Sequence, residues 1–237
     1  MRALDLSTRS HEAEWLDDPS LTASELEPVL SDLARFNGGM LGHWPVLRWL
    51  ARATKRMRSG ERLTVLDVGC GYGDLLRAIR KWAHKRGVDV ELIGIDLASE
   101  TISVARAATR DTEDIAYHAG DAFKFQLGRP VDLIVSSLLT HHFSDSQIVS
   151  FLQWMEATAR RGWVIYDLQR HIVPYAFIGL AGKVARLHPM VVHDGKISVA
   201  RSLTRAEWQD LIAKAGLPAS EVKIRWFIYR FTIERLR

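Results

Sequence analysis

Three carboxylates and a run of alternating glycines are the residues of this chain whose types and spacing point most directly to chemistry. Asp67 precedes Gly69-Cys70-Gly71-Tyr72-Gly73, Asp96 ends an apolar run further on, and Asp121 stands in Gly120-Asp121-Ala122. Closely spaced glycines let a backbone turn sharply and approach a ligand. A dinucleotide site spaces its glycines G-x-G-x-x-G and seats a phosphate on the following helix N-terminus. Here position 74 is Asp, and together with Asp67 it repels pyrophosphate and suits a cationic ligand. Asp96 lies roughly 20 residues past the loop, where a carboxylate accepts both ribose hydroxyls. Asp121 is placed to accept an adenine amino proton, with the Ala122 N–H meeting a ring nitrogen.

These residues need a scaffold that brings strand ends together. Leu63–Val68 is a short apolar run leading into the glycine loop; a helix follows with Leu75, Leu76, Ile79 and Trp82 on one face and Gly87 as its stop. Further strands are read at Val90–Ile95, Ile115–Ala119, Val131–Leu138 and Trp163–Tyr166, with helices at Ser99–Ala108 and after an N-cap at Ser144 or Asp145, the latter stopped by Gly162. Continuous apolar strands alternating with helices imply right-handed βαβ units and a mostly parallel sheet covered on both faces. Thr204 and Glu207 form a capping box before another helix, and Val222–Leu236 fits two antiparallel strands joined near Tyr229. Upstream, Val46, Leu50, Ala53 and Met57 make one helical face, opposite most of the arginines of a basic run (Arg48, Arg52, Lys55, Arg56, Arg58, Arg62), which reads as a solvated surface. Phe36-Asn37-Gly38-Gly39-Met40 reads as the break between two N-terminal helices, and the regular pattern lapses over 168–199.

Residues 62–167 and 200–237 resemble the core, closing helix and hairpin of a class I S-adenosylmethionine-dependent methyltransferase, small-molecule type, as in bacterial secondary-metabolite and quinone-type enzymes. The motifs carrying the resemblance are Asp67 to Gly73, Asp96, Gly120-Asp121-Ala122, and the fourth strand ending in Leu138-Leu139-Thr140-His141-His142-Phe143. It implies a Rossmann-like, seven-stranded, mostly parallel sheet with a C-terminal antiparallel hairpin, helices on both faces and an N-terminal helical lid. S-adenosylmethionine is the implied cofactor and S-adenosylhomocysteine the product. The implied cofactor residues are Asp67, Gly69, Cys70, Gly71, Gly73, Asp96, Leu97, Asp121, Ala122 and Ser137. The division expected is a lid over 1–61 and a core over 62–237, with an acceptor-side insertion at 168–199.

Methyl transfer from a sulfonium is an in-line displacement, so the enzyme mainly positions the acceptor and excludes water. A hydroxyl acceptor such as a phenol, with a pKa near 10, benefits from a general base, and histidine suits that role near neutral pH. His141, His142 and His171 are the candidates, although similar enzymes use a histidine after the fourth strand to tie down the loop. His193, in His193-Asp194-Gly195, reads as a turn residue. The additions are apolar and aromatic (Trp15, Phe36, Met40, Trp44 and Trp49; Ile172, Val173, Tyr175, Phe177 and Ile178), which favours a hydrophobic acceptor: a phenol, an aromatic polyketide or a quinone precursor. C- or N-methylation of a related molecule and non-catalytic cofactor binding remain the alternatives.

The composition narrows the remaining classes. One cysteine in 237 residues excludes a disulfide scaffold or multi-cysteine zinc site. Cys70 reads as a small residue beside the cofactor, not a nucleophile. His141, His142, His188 and His193 lack a carboxylate at ligand spacing, so no metal is expected. No apolar run reaches bilayer length, the start carries five acids and no apolar signal segment, and the expectation is a cytoplasmic protein, monomer or homodimer. A net charge of +4 is too small to indicate a nucleic-acid partner.

Overall fold

Among the described residues the chain forms seven strands: β1 (Arg62–Val68), β2 (Asp89–Asp96), β3 (Ile115–Ala119), β4 (Val131–Ser137), β5 (Ala159–Leu168), β6 (Lys223–Phe227) and β7 (Arg230–Leu236). The computed structural model describes residues 5–237 apart from Met40, Arg56, Ser59 and Gln126, so Met40 of the expected break and Arg56 of the basic run lie outside the described residues. The strands pair in the order β3-β2-β1-β4-β5-β7-β6. The first five are parallel, and β7 runs antiparallel between β5 and β6. The order reverses between β1 and β4, which opens a ligand crevice at their C-terminal ends.

Among the described residues, eight helices accompany the strands: α1 (Ala23–Gly39), α2 (Trp44–Ala53), α3 (Asp74–Arg86), α4 (Ser99–Ala107), α5 (Asp145–Thr158), α6 (Ile172–Ala185), α7 (Pro189–Arg201) and α8 (Arg205–Lys214). Side-chain alternation along the strands sorts the core into two layers. Leu63, Val65, Leu92, Leu133 and Val164 meet α2, α3 and α4 on one face. Leu66, Ile93, Ile134, Trp163 and Ile165 meet α5 and α8 on the other. Capping boxes start α5 at Ser144/Gln147 and α8 at Thr204/Glu207, and Gly87 ends α3 in the left-handed conformation at φ 63°.

Four local expectations change. α1 continues through Gly38 and Gly39. The amphipathic face starting at Trp44 stays helical only to Ala53. Gly162 does not stop α5: it sits within β5 at φ 154°, where a Cβ would strike the Arg235 carbonyl. The irregular stretch 168–199 holds α6 and α7, so His193 lies inside a helix and not in a turn.

The N-terminal segment divides in two. α2 buries Val46, Trp49 and Leu50 in the sheet core. The residues before it lie across the C-terminal rim: Ser10 N–H bonds to the Ala200 carbonyl at 3.0 Å, and Trp15 and Leu16 N–H groups bond to the buried Asp194 carboxylate at 2.9 Å each.

Candidate functional site: a nucleoside cradle beside a histidine–carboxylate cluster

At the end of β1, Gly69, Gly71 and Gly73 all adopt left-handed φ angles of 69°, 49° and 75°. Two of them also face crowding, since a Cβ at Gly73 would strike Tyr117 and one at Gly69 would lie 2.8 Å from Leu139. Gly71 has open space beside it, room a ligand can use. The Gly71 N–H is tied to Asp96 Oδ2 at 3.0 Å, and the Ala98 N–H to Oδ1 at 3.1 Å, so the loop and the end of β2 form one unit.

The loop is electrically unbalanced. Burial pushes the Asp67 carboxyl well above its usual range, and Asp74 and Asp96 push it further in the same direction. Burial also raises Asp96. The same burial, with Asp67 and Asp96 adding to it, drives the Cys70 thiol well up, which removes it as a nucleophile.

A cavity of about 130 Å³ opens here, lined among others by Asp67, Gly69, Gly71, Ser137, Asn37 of α1 and Arg230 of β7. Among the described residues, two buried polar atoms on its wall have no hydrogen-bond partner: Asp67 Oδ1 and Arg230 Nη1. Arg230 is held in place by Asn37, which accepts from its Nη2 at 3.0 Å. An unpaired carboxylate oxygen and an unpaired guanidinium nitrogen on one cavity wall match the ammonium and carboxylate of an α-amino acid. With Asp96 beyond for a ribose, these residues fit S-adenosylmethionine. Asp121 and Ala122 follow β3. Asp121 Oδ1 accepts the Phe123 N–H at 2.9 Å, Lys124 approaches Oδ2 at 3.5 Å, and Ala122 is buried. Leu97 lies exposed beside Asp96.

The histidines after β4 occupy a 3₁₀ turn, Thr140–His142. It follows Leu138, a bulky residue held at φ 57°, a strained conformation of the kind that gathers at functional sites. His141 is buried; its Nδ1 lies 2.7 Å from Asp167 Oδ1 at the end of β5, and Thr140 Oγ1 and the His141 N–H donate to Asp167 Oδ2 at 2.5 and 3.1 Å. Burial alone would raise Asp167, but the His141 charge and these donors overcome it and hold the carboxyl at about 2. His141 therefore ties the loop to β5.

His142 is more open. Its Nδ1 lies 3.3 Å from Asp17 and its Nε2 3.8 Å from Glu14, while His141 Nε2 is 3.6 Å from the other Glu14 oxygen. Burial raises the Glu14 carboxyl. Asp17, against a smaller burial cost, is lowered to about 2 by bonding to His142 and by Arg201. Arg201 and Arg9 donate to the carbonyls of residues 141–143, clamping the loop from outside. The His142 charge acts on Asp96 against the burial that raises it, and both residues lie at C-terminal strand ends on one rim of the sheet.

His171 stands apart, capping α6: its Nδ1 accepts the Val173 N–H at 3.1 Å and its ring packs 5.0 Å from Tyr229. Sequence reasoning missed Glu14, Asp17 and Arg230. The two acids lie in a stretch read only for what it lacked, and Arg230 in a hairpin read only for its strands. His43 was also missed; its Nε2 lies 2.7 Å from Asp74, pinning α2 to the start of α3.

Residues 65–162 match the family model described as a methyltransferase domain. Residues 65–162 therefore carry a methyltransferase domain. It is 24% identical over 200 residues to cyclopropane mycolic acid synthase 1 of Mycobacterium tuberculosis, covering 84% of this chain and 56% of that one. It is 28% identical over 144 residues to the ubiquinone biosynthesis O-methyltransferase of Hydrogenovibrio crunogenus, covering 59% and 57%. The chain thus matches little more than half the length of either relative. Among solved structures, human N-acetylserotonin methyltransferase in complex with S-adenosylmethionine shares the fold of this methyltransferase domain. That match has a TM-score of 0.62 and 15% identity, covering 91% of this chain and 56% of that one.

Proposed function

We propose that this chain is an S-adenosylmethionine-dependent methyltransferase that methylates a hydroxyl group of a hydrophobic small molecule, of phenolic, polyketide or quinone type. The observation that carries this reading is the cluster of His142, Glu14 and Asp17 after β4, on the same sheet rim as Asp96. It puts a partly exposed imidazole, backed by an ionised carboxylate, beside a nucleoside cradle.

S-adenosylmethionine, when bound, supplies a sulfonium methyl group that needs no further activation. Asp67 and Arg230 hold its amino-acid end, Asp96 its ribose, and Asp121 with Ala122 its adenine. His142 takes the acceptor hydroxyl proton, and Asp17, ionised at any neutral pH, stabilises the imidazolium that results. His141 positions His142 by fixing the turn to Asp167. The segments 1–61 and 168–199 serve as the lid that excludes water. The ubiquinone-pathway relative is itself an O-methyltransferase by name. Similarity to a cyclopropane mycolic acid synthase and to a probable fatty acid methyltransferase of the same organism supports C-methylation of a lipid-like acceptor as the second reading.

The test is turnover of isotopically labelled S-adenosylmethionine on a panel of phenols, enols, unsaturated lipids and amines, with the product located by mass spectrometry. The proposal predicts labelled methyl ether and a loss of roughly 10²–10⁴-fold in turnover for His142→Ala with cofactor affinity kept. Carbon-bound label supports the second reading. Reaction of amines alone refutes both, and cofactor binding without any turnover makes the chain a binding protein.

A further inference from the structure

The carboxylate that His141 and His142 lack at ligand spacing in the sequence reaches them through the fold. Glu14 Oε1 lies 3.6 Å from His141 Nε2, and Glu14 Oε2 lies 3.8 Å from His142 Nε2. Both separations are longer than a hydrogen bond, so a shared proton does not span them. An ion bound at roughly 2.0–2.1 Å holds its ligand atoms about 3.3–4.1 Å apart, from a tetrahedral to a straight arrangement. The two spacings fall inside that range, and one ligand atom from each of the three side chains lies within 4.8 Å of the other two.

Each of the three groups is also held from behind. Asp167 Oδ1 binds His141 Nδ1 at 2.7 Å, and Asp17 Oδ1 lies 3.3 Å from His142 Nδ1. Both rings therefore turn Nε2 toward Glu14. Ser198 Oγ donates to Glu14 Oε1 at 2.8 Å. A carboxylate on the far nitrogen of a ligating imidazole is the usual outer support of a metal-bound histidine, since it fixes the ring and its tautomer. Here that support is present on both histidines.

Charge and access agree with the spacing. Glu14, Asp17 and Asp167 surround the two imidazoles, and the guanidinium in contact with them is Arg201, 4.0 Å from Glu14 and 3.2 Å from Asp17. Three carboxylates against one guanidinium leave a negative excess that a divalent cation balances. Glu14 and Asp17 also line, with Asp18 and Met190, a cavity of about 470 Å³, which gives an ion an acidic approach. Two imidazoles and a carboxylate suit a first-row transition ion such as zinc, whereas magnesium and calcium take oxygen ligands. Three protein ligands of this kind leave a fourth position for water.

We propose that Glu14, His141 and His142 bind one divalent transition-metal ion of the zinc class between the N-terminal segment and the turn after β4. The ion takes the same His142 nitrogen that serves as the proposed base, so metal and acceptor proton compete for it. Binding itself needs no acceptor, and it stands or falls apart from methyl transfer.

The full chain is stripped with a chelator and titrated with Zn²⁺ against a chromophoric chelator, and with Co²⁺ by visible absorption. The expected result is one zinc per chain, no displacement by a large excess of Mg²⁺, and the intense visible bands of four- or five-coordinate cobalt. E14Q and H142Q should each weaken zinc binding about a hundredfold or more. D17N, which touches His142 and not the ion, should weaken it roughly tenfold. H171Q, away from the cluster, should bind as the wild type does. Retained S-adenosylhomocysteine binding reports that each variant is folded. Three results overturn the proposal: a wild-type chain that holds no zinc, E14Q and H142Q that bind it as tightly as the wild type, or loss of the ion in H171Q. If E14Q does not fold, the wild-type cobalt spectrum decides, and weak octahedral bands displaced by Mg²⁺ refute the site.

Discussion

Asp167→Asn should separate a structural role from a chemical one in the histidine cluster. Asp167 is almost wholly buried and takes four hydrogen bonds: from Thr140 Oγ1, the His141 N–H, His141 Nδ1 and the Leu168 N–H. Its folded value of about 2 lies below the ordinary 3.8, a shift worth about 2–3 kcal/mol at 1.36 kcal/mol per unit. The amide keeps one acceptor but turns N–H donors toward Thr140 or His141, which adds the cost of unmatched buried donors. A loss of about 3–4 kcal/mol at neutral pH follows, within the range for breaking a buried ion pair. At roughly 2–4 °C per kcal/mol for a chain of this size, the melting temperature should fall by about 6–15 °C. The sign of the pH dependence is set by the lowered carboxyl. Its contribution is complete above about pH 4, where the unfolded group is ionised, and is lost as pH falls toward 2. Urea unfolding of both proteins from pH 6 downward should therefore show a constant gap that narrows below about pH 4. Melting temperatures within a degree of each other at pH 7, or a gap independent of pH, would refute the buried-pair assignment.

Asp96→Ala should weaken S-adenosylhomocysteine binding by about 1.5–3 kcal/mol for each hydroxyl bond lost to the charged acceptor; titration calorimetry reads this, and unchanged affinity would remove the ribose assignment. Arg230→Met should lower affinity for S-adenosylhomocysteine tenfold or more, at about 1.5–3 kcal/mol for a bond to a charged group, yet leave affinity for methylthioadenosine, which lacks the amino-acid end, unchanged. Equal losses for both ligands would place Arg230 in general packing. Trp208→Ala, emptying a fully buried site in the layer formed with α5, should cost about 3–5 kcal/mol in urea unfolding with little change in cofactor affinity once folded.

What the sequence by itself determined were features whose cause is local. Apolar runs closed by glycine or aspartate become strands because β-branched side chains and turn residues act over a few positions, so β1 to β5 and the hairpin were readable. The carboxylates Asp67, Asp96 and Asp121 were readable for the same reason, since each lies within two residues of its strand's C-terminal end. Where local signals compete with packing they misled. Gly38 and Gly39 end many helices, yet α1 runs through them, and the glycines and prolines of 168–199 concealed two helices whose stability comes from packing on each other and on the rim. Tertiary structure alone decided which histidine is a strut and which is open, because that depends on Asp167 arriving from β5 and on Glu14 and Asp17 arriving from the N-terminal segment. It likewise decided that Arg230 reaches Asn37 across 193 residues to face the cavity. Such pairings carry no spacing in the chain; they exist because the parallel sheet gathers its strand ends on one rim and the N-terminal strap closes over it.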